Sequence, residues 1–105
     1  MQNKLIRLIL GTSLFSLVTP FFAHPFAGGS GTPGDPFQIS TCQQLQDISQ
    51  NLTASYELIN AIDCSDTKNW NNGAGFIPVG TITSGFSGSL NGNNHVITNL
   101  YIKSS

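Results

Sequence analysis

The stretch from Phe86 to Ile102, FSGSLNGNNHVITNLYI, constrains the fold of this chain more than any other. Phe86, Gly88 and Leu90 alternate with Ser87 and Ser89, the pattern of a strand with a single apolar face. Asn91-Gly92-Asn93-Asn94 follows, built from the residue types that tolerate positive φ, and turns the chain. A second apolar segment runs from Val96 to Ile102. Strand, Asn-rich corner and second strand together predict one coil of a right-handed parallel β-helix, with Phe86, Leu90, Ile97, Leu100 and Ile102 directed into the stack. The fold class read from the sequence is therefore all-β, a right-handed parallel β-helix fragment with a short N-terminal capping helix.

The polar positions favour a turn-rich β protein. Only 9% of residues are charged, and Gly, Asn, Ser and Thr take most of the remaining polar places. Beyond Lys4 and Arg7, only Lys68 and Lys103 oppose Asp35, Asp47, Glu57, Asp63 and Asp66. The chain is mildly acidic with no basic cluster, which argues against nucleic acid as a partner. At 105 residues it makes at most one domain.

The first 23 residues read as a secretory signal peptide. Lys4 and Arg7 give a positive start, Leu8 to Val18 an apolar run, and Pro20 a helix break before Ala23, the expected last residue removed. The competing reading is an uncleaved anchor, since Leu5 to Phe22 approaches spanning length. Residues 24–36 form a Gly/Pro-rich lead-in, and residues 37–105 are expected to be the N-terminal cap and the first coils of the β-helix. Export to the cell surface or medium sets the meaning of Cys42 and Cys64. In an oxidising compartment two cysteines pair with each other. Closing that loop is worth about 3 kcal/mol in the chain-entropy model. Metal binding is the competing idea, but there is no Cys-x-x-Cys and no His near either residue.

Thr41-Cys42-Gln43-Gln44 has the form of a capping box, and Leu45, Ile48 and Leu52 recur at helical spacing, which predicts a short amphipathic helix over residues 42–51. Its outer face carries Gln43, Gln46, Asp47 and Gln50. Tyr56 to Ile62 reads as a strand with Tyr56, Leu58 and Ile62 inside, and Asn60, the polar member of the inner face, is expected at a bend. Phe76 to Gly80 reads as a further strand, confined by Pro78 to a place where its missing N–H is not needed. Trp70, alone in a loop of turn formers, is expected to fold down as a plug on the sheet edge.

Several separated pieces resemble one known pattern. Gly31-Thr32, Asp35-Pro36-Phe37-Gln38-Ile39 and the Leu45/Ile48 helix are similar to the opening of bacterial exported β-helix proteins with GLUG repeats. So are Tyr56-x-Leu58 with Ile62-Asp63-Cys64, Trp70, and Phe76-x-Pro78-Val79-Gly80. Phe86-Ser-Gly88, the Gly92/His95/Ile97 segment and Leu100-x-Ile102 look like the coil before the first such repeat. That family includes filamentous-haemagglutinin-like adhesins and the stalks of IgA-cleaving metalloproteases. The resemblance implies a non-catalytic surface module. Family members continue through many coils, whereas no repeat follows Ile102, so the expectation is a truncated stack. Its open C-terminal edge would take further coils or a second copy.

No catalytic set stands out. Asp63 and Asp66 flank a bend, where turn chemistry is their ordinary use. His95 has no nucleophile placed beside it by motif. No cofactor or metal motif is present, and the Gly28 to Pro36 segment lacks the Asp that a calcium-binding glycine nonapeptide requires. The expected function is thus an adhesin-like structural or interaction role toward a host or glycan surface, without enzymatic activity. The alternatives are a fragment of a β-helix carbohydrate-active enzyme, or a small secreted carbohydrate-binding protein with Trp70, Tyr56 and Tyr101 as its aromatic contact surface.

Overall fold

The computed structural model describes residues 24–103, so the signal peptide expected over residues 1–23 lies outside the described residues. Among the described residues there are five short strands, one α-helix and two 3₁₀ segments. Strand β1 (Phe37–Ile39) leads to helix α1 (Cys42–Asp47), which tightens into a 3₁₀ turn (Ile48–Gln50). Strands β2 (Ser55–Leu58) and β3 (Ile62–Asp63) follow, then a kinked 3₁₀ segment (Ser65–Gly73). Strands β4 (Ser89–Asn91) and β5 (Ile97–Thr98) complete the order.

The pairing between these strands is parallel throughout. β2 lies between β1 and β4, with Phe37 opposite Tyr56 and Tyr56 opposite Leu90. β3 pairs with β5 in a separate two-stranded sheet, Ile62 opposite Ile97 and Asp63 opposite Thr98.

This corrects the all-β, right-handed parallel β-helix fragment expected from the sequence. The strands are two to four residues long, they divide between two small sheets, and helical turns join them. The physical reason lies in the corners. Asn71, Asn72, Asn93, Asn94 and Asn99 all have positive φ, which strand interiors do not accept; Asn93 and Asn94 separate β4 from β5, and Asn99 ends β5 after two residues. Phe76 to Gly80 forms no strand either; its start is tied to the C-terminal segment by the Gly75–Ile102 bridge and by Phe76 N–H donating to Tyr101 O at 2.9 Å.

The helix forms as its sequence dictates. Thr41 Oγ1 accepts from Gln44 N–H at 3.1 Å, and Gln44 Oε1 accepts from Ser40 N–H at 2.7 Å, one residue further back than the standard box. Leu45 and Ile48 point into the core with Ile39, Tyr56, Leu58, Ile62 and Phe76. Cys42 and Cys64 form a disulfide with Cα atoms 5.3 Å apart, joining the first residue of α1 to the residue that follows β3. Asn60 does sit at a bend, but it is exposed; its Nδ2 donates to Ser40 O at 3.0 Å and to Ala61 O at 2.7 Å.

The Gly/Pro-rich lead-in has a defined place. Ala27 N–H donates to Gln38 O and Gln38 N–H to Gly28 O, so residues 27–28 run antiparallel along the outer edge of β1. Gly29, at φ +87°, passes so close to Pro36 O that a Cβ there would sit 1.9 Å from it. Phe26 then reaches Phe37 and Tyr56, with ring centroids 4.7 and 5.3 Å away. The β1 edge of the sheet is therefore covered by the chain itself.

Candidate interaction surface

The opposite edge is built differently. Tyr56 on β2 is 1% exposed, whereas its register partner Leu90 on β4 is 42% exposed. Phe86, Ile97, Leu100 and Ile102, expected to face into a stack, are likewise exposed. Phe86, Leu90 and Leu100 close one side of a concavity of about 320 Å³ whose other walls are Leu45, Ile48, Phe76 and Val79. Every lining side chain is aliphatic or aromatic, so the hydrophobic core opens directly onto this face. The aromatic series Phe26, Phe37, Tyr56, Phe86 steps across the sheet and ends on the exposed ring of Phe86, 6.3 Å from Tyr56. Beside it, β4 has a partner on its β2 side and no strand on its other side among the described residues.

Two contacts set the angle of this face. Gly88 lies over Ala54, where a Cβ would meet Ala54 O at 1.9 Å, and Ser87 and Gly88 N–H both donate to Leu52 O. Asn93, at φ 49°, donates from Nδ2 to Leu58 O at 2.9 Å and to Glu57 Oε1 at 3.3 Å. The Asn-rich corner thus grips the end of the neighbouring strand β2.

Asp63, Asp66 and His95 are the candidate catalytic groups. Asp63 Oδ1 accepts from Ser65 N–H at 2.9 Å and Asn99 Nδ2 at 3.3 Å. The backbone bond from Ser65, followed by that from Asn99, holds its carboxyl below the usual carboxylate value. A carboxylate held ionised in this way serves the turn rather than donating protons. Asp66 and His95 are exposed. Among the described residues no three His, Cys, Asp or Glu side chains come together as a metal site would require.

The three aromatics proposed as a contact surface share none of the described cavities. Tyr56 is buried, its hydroxyl donating to Asn51 O at 2.6 Å, and burial pushes its phenol pKa up. Tyr101 packs its backbone over Gly75 and lines a shallow hollow with Ser65, Lys68, Asn99 and Leu100. Trp70 is half-buried and stacks on Phe76 at 6.4 Å, the plug position expected of it, while also lining a cleft with Gln43, Gln46, Asn71 and Ile77. The two glutamines read from sequence only as the solvent face of the helix; their spacing at i and i+3 on one face was the available signal.

Two known proteins show sequence similarity. The chain is 40% identical over 82 residues to halomucin of Haloquadratum walsbyi, an alignment taking in 70% of this chain and 1% of halomucin. It is 34% identical over 79 residues to a protein named as a Gly-rich membrane protein of Evansella cellulosilytica, taking in 73% of this chain and 9% of that protein. The chain therefore spans a small fraction of the length of the curated relatives it matches. No protein-family model matches it, and no solved structure does.

Proposed function

We propose that this chain is a non-enzymatic interaction module of an exported, cell-surface protein, and that its apolar face of Phe86, Leu90 and Leu100 seats a neighbouring polypeptide. The observation that carries this reading is the asymmetry of the sheet: the β1 edge is covered by residues 27–28 and Phe26, while the β4 edge is bare beside an apolar concavity. Exposed apolar surface contiguous with a core and flanked by free backbone donors and acceptors is the usual anatomy of a protein–protein contact.

Similarity to halomucin and to a membrane protein supports a surface or membrane-associated location, as does the resemblance to exported proteins with GLUG repeats. A surface location is consistent with an adhesin-like role. In isolation the partner is a second copy, meeting face to face across Phe86 and Leu90.

Sedimentation velocity over a dilution series tests the proposal. The wild-type chain shifts from monomer toward dimer as concentration rises, and Leu90→Asn stays monomeric. Cleavage of a glycan or peptide by the purified chain, lost on Asp63→Ala or His95→Ala, would overturn the non-enzymatic reading.

A further inference from the structure

We infer that the cleft between helix α1 and the Trp70–Ile77 loop is a binding subsite for a neutral saccharide ring. It shares no residue with the apolar concavity and does not depend on what covers that face. Its volume, about 270 Å³, lies near the lower end of small-ligand pockets, roughly 300 Å³, and suits one sugar-sized unit.

The chemistry of the walls matches such a unit. Trp70 supplies an indole plane steadied by stacking on Phe76. Ile77, 55% exposed, adds an apolar shoulder. A pyranose presents a C–H face to aromatic surface and hydroxyls around its rim, so it needs one ring and several neutral donors and acceptors.

The amides provide those, and they are fixed in place. Gln46 forms a two-point bond to the Ile77 backbone, Nε2 donating to Ile77 O at 3.0 Å and Oε1 accepting from Ile77 N–H at 2.8 Å. This clamps the helix to the loop and spaces the two walls. Gln43 donates from Nε2 to Asp47 Oδ1 at 3.2 Å, and Asn71 from Nδ2 to Gly75 O at 2.7 Å. Each is thereby oriented, and each keeps its side-chain carbonyl without a donor among the described residues. The same holds for the Trp70 indole N–H. The indole N–H, these two carbonyls and the second N–H of each amide thus belong to the residues lining the cleft, none of which is charged.

The backbone beneath Asn71 is held in an uncommon state. Asn71 and Asn72 are both left-handed, at φ 54° and 56°, immediately after extended Trp70. Two consecutive non-glycine residues in that region carry conformational cost, and such cost collects where a side chain must be presented at a set angle.

Trp70 is the chain's only tryptophan, so its emission reports on this cleft alone. The test titrates the purified chain with cellohexaose, chitohexaose and maltohexaose, with polygalacturonate as the charged comparison. The expected result is a saturable emission change with at least one neutral hexaose. Affinity for it falls about tenfold in Gln43→Ala and in Asn71→Gly, each removing one acceptor. Asn71→Gly keeps the left-handed backbone accessible, and both variants avoid removing Trp70 from the edge of the core. Leu90→Asn leaves the titration unchanged, which separates this site from the association face. No saturable change with any neutral probe, undiminished binding in both variants, or preference for polygalacturonate would overturn the inference.

Discussion

Tyr56 and Leu90 are register partners on adjacent parallel strands, yet one is sealed in the core and the other stands 42% exposed. That single step across the sheet marks where the interior of this protein becomes its surface. On the far side of Tyr56, Phe37 and Phe26 continue the packing; on the near side, Phe86 and Leu90 are only partly covered. The contrast locates the proposed interface and sets the expectations that follow.

Reduction of the Cys42–Cys64 bridge, or its replacement by two serines, is expected to cost about 3 kcal/mol. The bridge fastens the start of α1 beneath the end of β3, and both sulfurs are buried. Urea unfolding with and without reductant measures the difference, and an unchanged midpoint would rule out a stabilising role.

Gly88→Ala is expected to destabilise by about 2 kcal/mol, because a methyl group there meets the backbone oxygen of Ala54. Neither partner is the end of a flexible side chain, so relief requires moving β4 away from β2. The same substitution at Gly92, where the surrounding space is open, serves as the control.

Thr67 is fully buried and joins three segments. Its hydroxyl donates to Cys64 O at 2.6 Å and accepts from Tyr101 N–H at 2.9 Å. Thr67→Val keeps the shape and leaves the Tyr101 N–H without its acceptor, while Cys64 O keeps its bond from the Thr67 backbone N–H at 3.0 Å; the expected cost is about 1–3 kcal/mol. Thr67→Ser, retaining the hydroxyl, should recover most of that loss in the same unfolding assay.

Stability should fall at both ends of the pH range. The folded-state pKa of Asp63 is lowered by its bonds from Ser65 and Asn99, so its contribution is present above the ordinary carboxylate value, 3.8, and is lost as pH falls through the lower folded value. Asp63→Asn removes that acid-side dependence while keeping an oxygen for Ser65 N–H. Burial raises the Tyr56 phenol, so its contribution is full below the ordinary value of 10.0 and is lost as pH rises toward the folded value. Tyr56→Phe should flatten the alkaline limb. Unfolding midpoints measured from acid to alkaline buffer check both signs.

Much of the core was legible in the sequence. Helical spacing picked out Leu45 and Ile48, strand alternation picked out Tyr56, Leu58 and Ile62, and Thr41 announced the helix start. The architecture was not. Alternation of Phe86, Gly88 and Leu90 states that one face is apolar, and a two-sheet arrangement with strands of two to four residues satisfies it as well as a long stack does. Residues 24–36 have no periodicity to read, so the antiparallel run of residues 27–28 along β1 shows only in the folded chain. Thr67 and the Gln43/Gln46 pair were missed because their roles depend on partners at least 30 residues away, Tyr101 for Thr67 and Ile77 for Gln46.

The central claim is that the Phe86–Leu90 face binds a second polypeptide, and the most direct measurement is the thermal unfolding midpoint over about a hundredfold range of concentration. The account predicts a midpoint that climbs with concentration in the wild-type chain, and one that stays fixed in Leu90→Asn. A sharp transition at one constant midpoint, from a wild-type species that sediments as a monomer throughout, would contradict it.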